Sequence, residues 1–196
     1  LAVSVQTLLV ARVDLLEEGA RAVAQAAAVC ATSFRTDDVA TLVDDVPSRS
    51  LLTLVRRELI RPGEPGDDGG EGWSFRHSLI RDVAYGSLPK WRRAELHERL
   101  AERAIERGDN ADVTAGLHLY RAVHARQEAG EHGVAVDRLA AHGAAHLRRA
   151  GLAAYESDDM AAAASLLERA NELLPREAPE RVELLPKLGE ALVWVG

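Results

Sequence analysis

Seven histidines and a single cysteine are the side chains of this 196-residue chain best suited to ligate a metal or act as bases or nucleophiles. His142 and His146 stand four apart, the spacing that places two imidazoles on one helical face as zinc ligands require. The residues between them are Gly143, Ala144 and Ala145. The glutamate that activates water in a metalloprotease is therefore missing, and surface or packing roles are expected, with no metal or cofactor in the chain itself. His118 and His124, six apart, do not share a helical face well. Cys30 lies in Ala26-Ala27-Ala28-Val29-Cys30-Ala31 and reads as a small core residue; one cysteine excludes an intrachain disulfide. No G-x-x-x-x-G-K-[ST] phosphate loop, G-x-S-x-G elbow or C-x-x-C pair occurs, so no catalytic residue is assigned and the chain reads as a non-enzyme. The stretch Gly63–Gly72 has the glycines of a phosphate cradle. It also holds Glu64, Asp67, Asp68 and Glu71 without a lysine, a mixture that repels phosphate and reads as a solvated loop tip.

The informative stretch is Phe75-Arg76-His77-Ser78-Leu79-Ile80-Arg81-Asp82-Val83-Ala84-Tyr85. It falls where a strand gives way to a helix, so His77 stands near a helix N-terminus, where the positive end of the dipole favours a neutral ring. Such a ring can donate to a phosphate oxygen; it can equally cap the helix or hydrogen-bond within the hairpin. Arg81, four residues on, can face the same phosphates or pair with a nearby carboxylate.

The elements that position these residues are mostly helical. Ala and Leu supply 34 and 27 residues against 8 aromatics, which excludes an all-β fold. Apolar residues recur with helical spacing at Val5, Leu8, Leu9, Val13 and Leu16, then at Ala20, Val23, Ala24, Ala27, Ala28 and Ala31. Thr36, followed by Asp37 and Asp38, suits the N-cap of a short helix through Val43. Pro47 and Ser48 open another with Leu51, Leu52, Val55 and Leu59 on one side. One hairpin is expected, from Leu59-Ile60-Arg61 to Trp73-Ser74-Phe75 across the Gly/Pro-rich loop. Helices over Ser78–Leu88 and Pro89–Arg107 come next, and Gly108-Asp109-Asn110 marks a boundary.

Beyond it a repeat period emerges. Leu147, Gly151, Tyr155, Ala163, Ala170 and Pro175 occupy positions 4, 8, 12, 20, 27 and 32 of a 34-residue tetratricopeptide unit, although Ala154 stands where an aromatic is usual. Leu185, Leu188, Gly189 and Gly196 match positions 4, 7, 8 and 15 of a following unit. A weaker unit is suggested around Gly130–Leu139. The expected architecture is therefore mainly α: a winged-helix-like domain with one short β-hairpin over residues 1–108, then an α-solenoid of tetratricopeptide-like helical hairpins over 109–196. Leu1 in place of methionine and an apolar pattern interrupted at Gly196 suggest an internal piece of something longer.

The segment Phe75–Tyr85 resembles the histidine motif in the winged-helix domain of signal-transducing NTPases with numerous domains. It is closer to the bacterial branch found in large LuxR-type regulators and in ATPases attached to class III nucleotide cyclase domains. Ser4–Leu16 resembles the helix leaving the ATPase core of those proteins, Ala26–Val29 the next helix, and Leu54–Ile60 the helix entering the hairpin. This resemblance implies a P-loop ATPase core upstream, binding ATP or ADP with Mg, and assigns His77 contact with the β-phosphate of ADP. Ser78 and Arg76 replace the Asp and Met of the eukaryotic motif. The resemblance further implies a regulatory, non-catalytic fragment coupling the nucleotide state of an upstream ATPase domain to helical repeats that receive a protein or small-molecule signal. The rival reading is a helical-repeat interaction scaffold without nucleotide dependence.

Charge narrows the partners. The net charge is −7 overall, with −2 over residues 1–108 and −5 over 109–196. Lys90, Arg92, Arg93, Arg99, Arg103 and Arg107 interleave with Glu95, Glu98, Glu102 and Glu106, which suits a solvated helix with i, i+3 ion pairs. An acidic loop tip where DNA binders place basic residues argues against DNA as partner. No apolar run approaches the roughly 20 residues of a membrane span and no signal peptide is evident, so a cytoplasmic protein without membrane contact is expected.

Overall fold

The computed structural model describes residues 5–43, 48–63, 72–108 and 111–196. It is mainly helical, with one small antiparallel sheet, and forms two compact units, Leu1–Leu96 and His97–Gly196. Helix α6 (Lys90–Arg107) contributes to both, and the boundary read from sequence, at Gly108, lies at its C-terminal end. Gly108 has φ +80, a left-handed conformation that halts a helix at little cost only for glycine.

The first unit begins with α1 (Val5–Asp14) and α2 (Glu18–Cys30). The alanine-rich face of α2 is buried at Ala20, Val23, Ala24, Ala27 and Ala28, as its spacing predicts, whereas Ala31, read on the same face, follows the last helical residue and is exposed. Small side chains there let α3 (Thr36–Ala40), α4 (Ser48–Arg56) and α5 (Ser78–Gly86) approach α2 closely. Helix α1 packs on α5.

The hairpin appears as β2 (Ile60–Pro62) and β3 (Gly72–Phe75), with Ile60 opposite Phe75 and Pro62 opposite Trp73. A third strand, β1 (Ser33–Arg35), joins the other side of β3, so the expectation of a single two-stranded hairpin is corrected to a three-stranded sheet in the order β1-β3-β2. Three residues are too few to show alternation in sequence. What recruits them is the burial of Phe34 against Phe75, ring centroids 5.6 Å apart. Pro62 is tolerated because β2 is an edge strand, where a missing N–H breaks no ladder.

Thr36 departs from its expected role. It is the first residue of α3, its side chain does not cap the helix, and its hydroxyl accepts the indole N–H of Trp73 at 2.9 Å. That helix ends at Ala40, short of Val43. Asp44–Pro47 and the acidic tip Glu64–Glu71 lie outside the described residues.

In the second unit α7 (Ala111–Glu128) packs on α8 (Val134–Glu156), α8 on α9 (Met160–Leu173), and α9 on α10 (Glu180–Val195). Gly130 and Gly133 form the turn between α7 and α8. Two glycines set the helix spacing. A Cβ on Gly116 would fall 2.8 Å from Leu147 Cγ, and one on Gly151 2.7 Å from Leu167 Cγ, both leucines being fully buried. Each glycine is thus a socket for a leucine of the following helix. Ala163, Ala170 and Leu184 complete the buried set, and Asp159 caps α9 by accepting the Ala162 N–H at 3.0 Å.

Candidate functional site

Strand β3 ends at Phe75, buried in the sheet core, and Arg76 is held by donating its N–H to the Leu59 carbonyl at 3.0 Å. These anchors deliver His77 to the N-cap position of α5 in extended conformation, φ −143 and ψ 141. Its carbonyl accepts the Ile80 N–H at 3.0 Å, but its ring makes no capping bond and is exposed to solvent. Helix α5 is fixed beneath by Ile80, Val83 and Ala84, so the histidine is presented from a rigid base.

Arg81, on the same helix, pairs with the neighbouring Asp82 at 3.3 Å and lies over the Tyr85 ring with its guanidinium carbon 5.8 Å from the centroid. Its Nε is buried without a hydrogen-bond partner. Arg76 pairs with Glu58 at 3.8 Å. The exposed imidazole thus stands at the N-terminus of α5, four residues before the half-buried, Asp82-paired guanidinium of Arg81. A cavity of about 320 Å³ elsewhere in this unit is lined by Ser33, Phe34, Arg35, Asp38, Gly63, Gly72 and Trp73, without His77 or Arg81.

The repeat-packing residues divide in two. Leu147, Gly151, Ala163 and Ala170 are buried between helices, as the period requires. Tyr155 is half-buried with its hydroxyl donated to Glu190, while Pro175 and Gly189 are exposed, and nothing lies within 4 Å of where a Gly189 Cβ would stand.

Two polar clusters in the second unit join residues that the sequence does not bring together. His97 of α6 and His118 of α7 are buried with their Nδ1 atoms 2.9 Å apart, one donating and the other accepting. Burial, aided by the Arg121 charge, pushes the His118 pKa down to about 4. On α8, His142 and His146 bring their Nε2 atoms to 3.1 Å, and His146 Nδ1 lies 2.6 Å from Asp112 Oδ1 of α7. Arg149 grips the same carboxylate at 2.7 Å, and its hydrogen bond first, then that of His146, holds Asp112 below the usual carboxylate range. Desolvation, with the His146 and Arg149 charges, lowers the His142 pKa. The i, i+4 spacing singles out the pair in the sequence, but Asp112 lies 34 residues from His146 and nothing local announces it.

Cys30 is half-buried at the C-terminal end of α2, and burial pushes its thiol pKa up, consistent with an inert packing residue. Of the basic residues of α6, Arg92 and Arg103 form the expected i, i+3 pairs, with Glu95 at 2.6 Å and Glu106 at 3.6 Å, while Arg93 donates to the Leu88 and Gly86 carbonyls. No helix among the described residues is long and apolar enough to cross a membrane, and no group of three or more His, Cys, Asp or Glu among them could hold a metal ion. No protein-family model, curated protein or solved structure matches the chain.

Proposed function

We propose that this chain is a regulatory, non-catalytic part of a nucleotide-switch ATPase. The first unit acts as a winged-helix-like domain closing on an upstream ATPase core that binds ATP or ADP with Mg, and the second as tetratricopeptide-like repeats receiving a protein or small-molecule signal. The observation that carries this reading is the solvent-facing His77 ring on the sheet-anchored N-terminus of α5, free of any capping bond. A three-stranded sheet flanked by short helices suits the winged-helix reading, and the two glycine–leucine sockets suit stacked helical hairpins. The mixed charge of α6 and the acidic balance do not suit DNA.

The test is made on the longer protein in which this chain follows its ATPase core. If His77 donates to the β-phosphate of ADP, His77→Ala removes a hydrogen bond to a charged group, about 1.5–3 kcal/mol, and weakens ADP about ten- to a hundredfold. ATP suffers less, and the open signalling form becomes populated without input, because a ligand shifts an equilibrium only by its differential affinity. Equal losses for both nucleotides would indicate general binding without a switch. No loss for either would leave the second reading, an interaction scaffold without nucleotide dependence. One feature favours that alternative: α10 exposes Val182, Leu185, Leu192 and Val193 along one side.

A further inference from the structure

We propose that His142 and His146 of α8 form a two-imidazole chelate for a divalent transition cation such as Zn(II) or Cu(II), with Asp112 of α7 orienting it from behind. The spacing of the two rings fits a chelate. Two nitrogens each about 2.0–2.1 Å from one metal stand about 2.9 Å apart at a right angle and about 3.3 Å apart at the tetrahedral angle. The two Nε2 atoms are 3.1 Å apart, inside that interval, on rings whose planes differ by 53°. Without metal this approach is one hydrogen bond, one Nε2 donating and the other accepting. With metal His142 changes tautomer, its proton passing from Nε2 by way of water to Nδ1, and both Nε2 lone pairs serve as ligands.

The arrangement behind the pair is the one metal sites use. His146 presents Nε2 to His142 and donates its Nδ1–H to the Asp112 carboxylate at 2.6 Å, which fixes the tautomer and leaves the Nε2 lone pair to ligate. Helix packing buries His146 and holds its ring in place, while His142 is exposed, so the cation can enter and keep water on its remaining positions. Arg149 lies 2.9 Å from His146 Nδ1, but its charge is engaged by both oxygens of Asp112. With only two protein ligands the site selects borderline metals that favour imidazole over oxygen donors, and it leaves open positions for a third ligand from solvent or a partner.

The test uses the 196-residue chain in a non-chelating buffer near pH 7.5. Zn(II) binding is followed by calorimetry, and equimolar Cu(II) by electron paramagnetic resonance. The expected result is one Zn(II) per chain with micromolar affinity and a Cu(II) spectrum showing two equatorial imidazole nitrogens. His142→Ala, at an exposed position that does not threaten folding, should weaken Zn(II) at least tenfold and remove one nitrogen from the spectrum. Asp112→Asn should weaken Zn(II) about ten- to a hundredfold while keeping both nitrogens. His124→Ala and His132→Ala serve as controls and should change neither reading. Wild-type affinity retained in His142→Ala, or a Cu(II) spectrum with a single imidazole, would overturn the proposal and leave only adventitious binding to scattered histidines.

Discussion

Acidification should destabilise the second unit through His118 before the carboxylates begin to titrate. In the folded chain this ring is buried against His97, with the Arg121 charge nearby, and its pKa is pushed down to about 4; an unfolded histidine titrates near 6.5. Because the folded value lies below the unfolded one, the unfolded chain binds more protons between these limits, so stability is full above pH 6.5 and falls as pH falls toward 4. One unit of difference is about 1.4 kcal/mol, so the shift is worth about 3 kcal/mol in total, of which about 2 kcal/mol is lost between pH 7.5 and 5.0. The assay is urea unfolding followed by helical circular dichroism at both pH values, for wild type and His118→Gln. The variant, whatever its own stability, should lack about 2 kcal/mol of the wild-type pH dependence. A direct check is the NMR titration of the His118 ring, with a midpoint expected near 4. A midpoint near 6.5, or equal pH dependence in the two proteins, would refute the reasoning.

Glycines on α7 and α8 should respond to substitution in the opposite sense to the one on α10. Gly151→Ala drives a Cβ against Leu167, and Gly116→Ala drives one against Leu147, in each case 3.2 Å or less from the leucine backbone nitrogen as well; each should cost about 1–3 kcal/mol in urea unfolding. Gly189→Ala meets nothing and should stabilise α10 by up to about 1 kcal/mol through helix propensity alone. The exposed row Val182, Leu185, Leu192 and Val193 should make the chain self-associate, and Leu192→Glu with Val193→Glu should shift sedimentation toward the monomer without lowering the melting temperature. A monomeric wild type at high micromolar concentration would remove that surface from consideration.

Composition and spacing by themselves determined the helical character, the alanine face of α2, the β2–β3 pairing and the strand-to-helix junction at His77. Each rests on local preference or on a period that survives within one element, so a single sequence carries it. The tight spacing around Gly151, Ala163 and Ala170 was legible for the same reason, since only small residues permit helices to cross so closely. Tertiary structure alone decided the rest. Strand β1 exists because Phe34 finds Phe75 some forty residues away, and Thr36, placed inside α3 after the N-cap Arg35, gives its hydroxyl as acceptor to the Trp73 indole instead of capping. Gly189 has the spacing of Gly151 without its leucine, because a socket is defined by the neighbour that fills it. The histidine clusters arise in the same way. Asp112 meets His146, and His97 meets His118, only after separate helices pack, and burial of the His118 ring then lowers its pKa. Desolvation and hydrogen bonding across helices are properties of the packed chain, and no local window of sequence contains them.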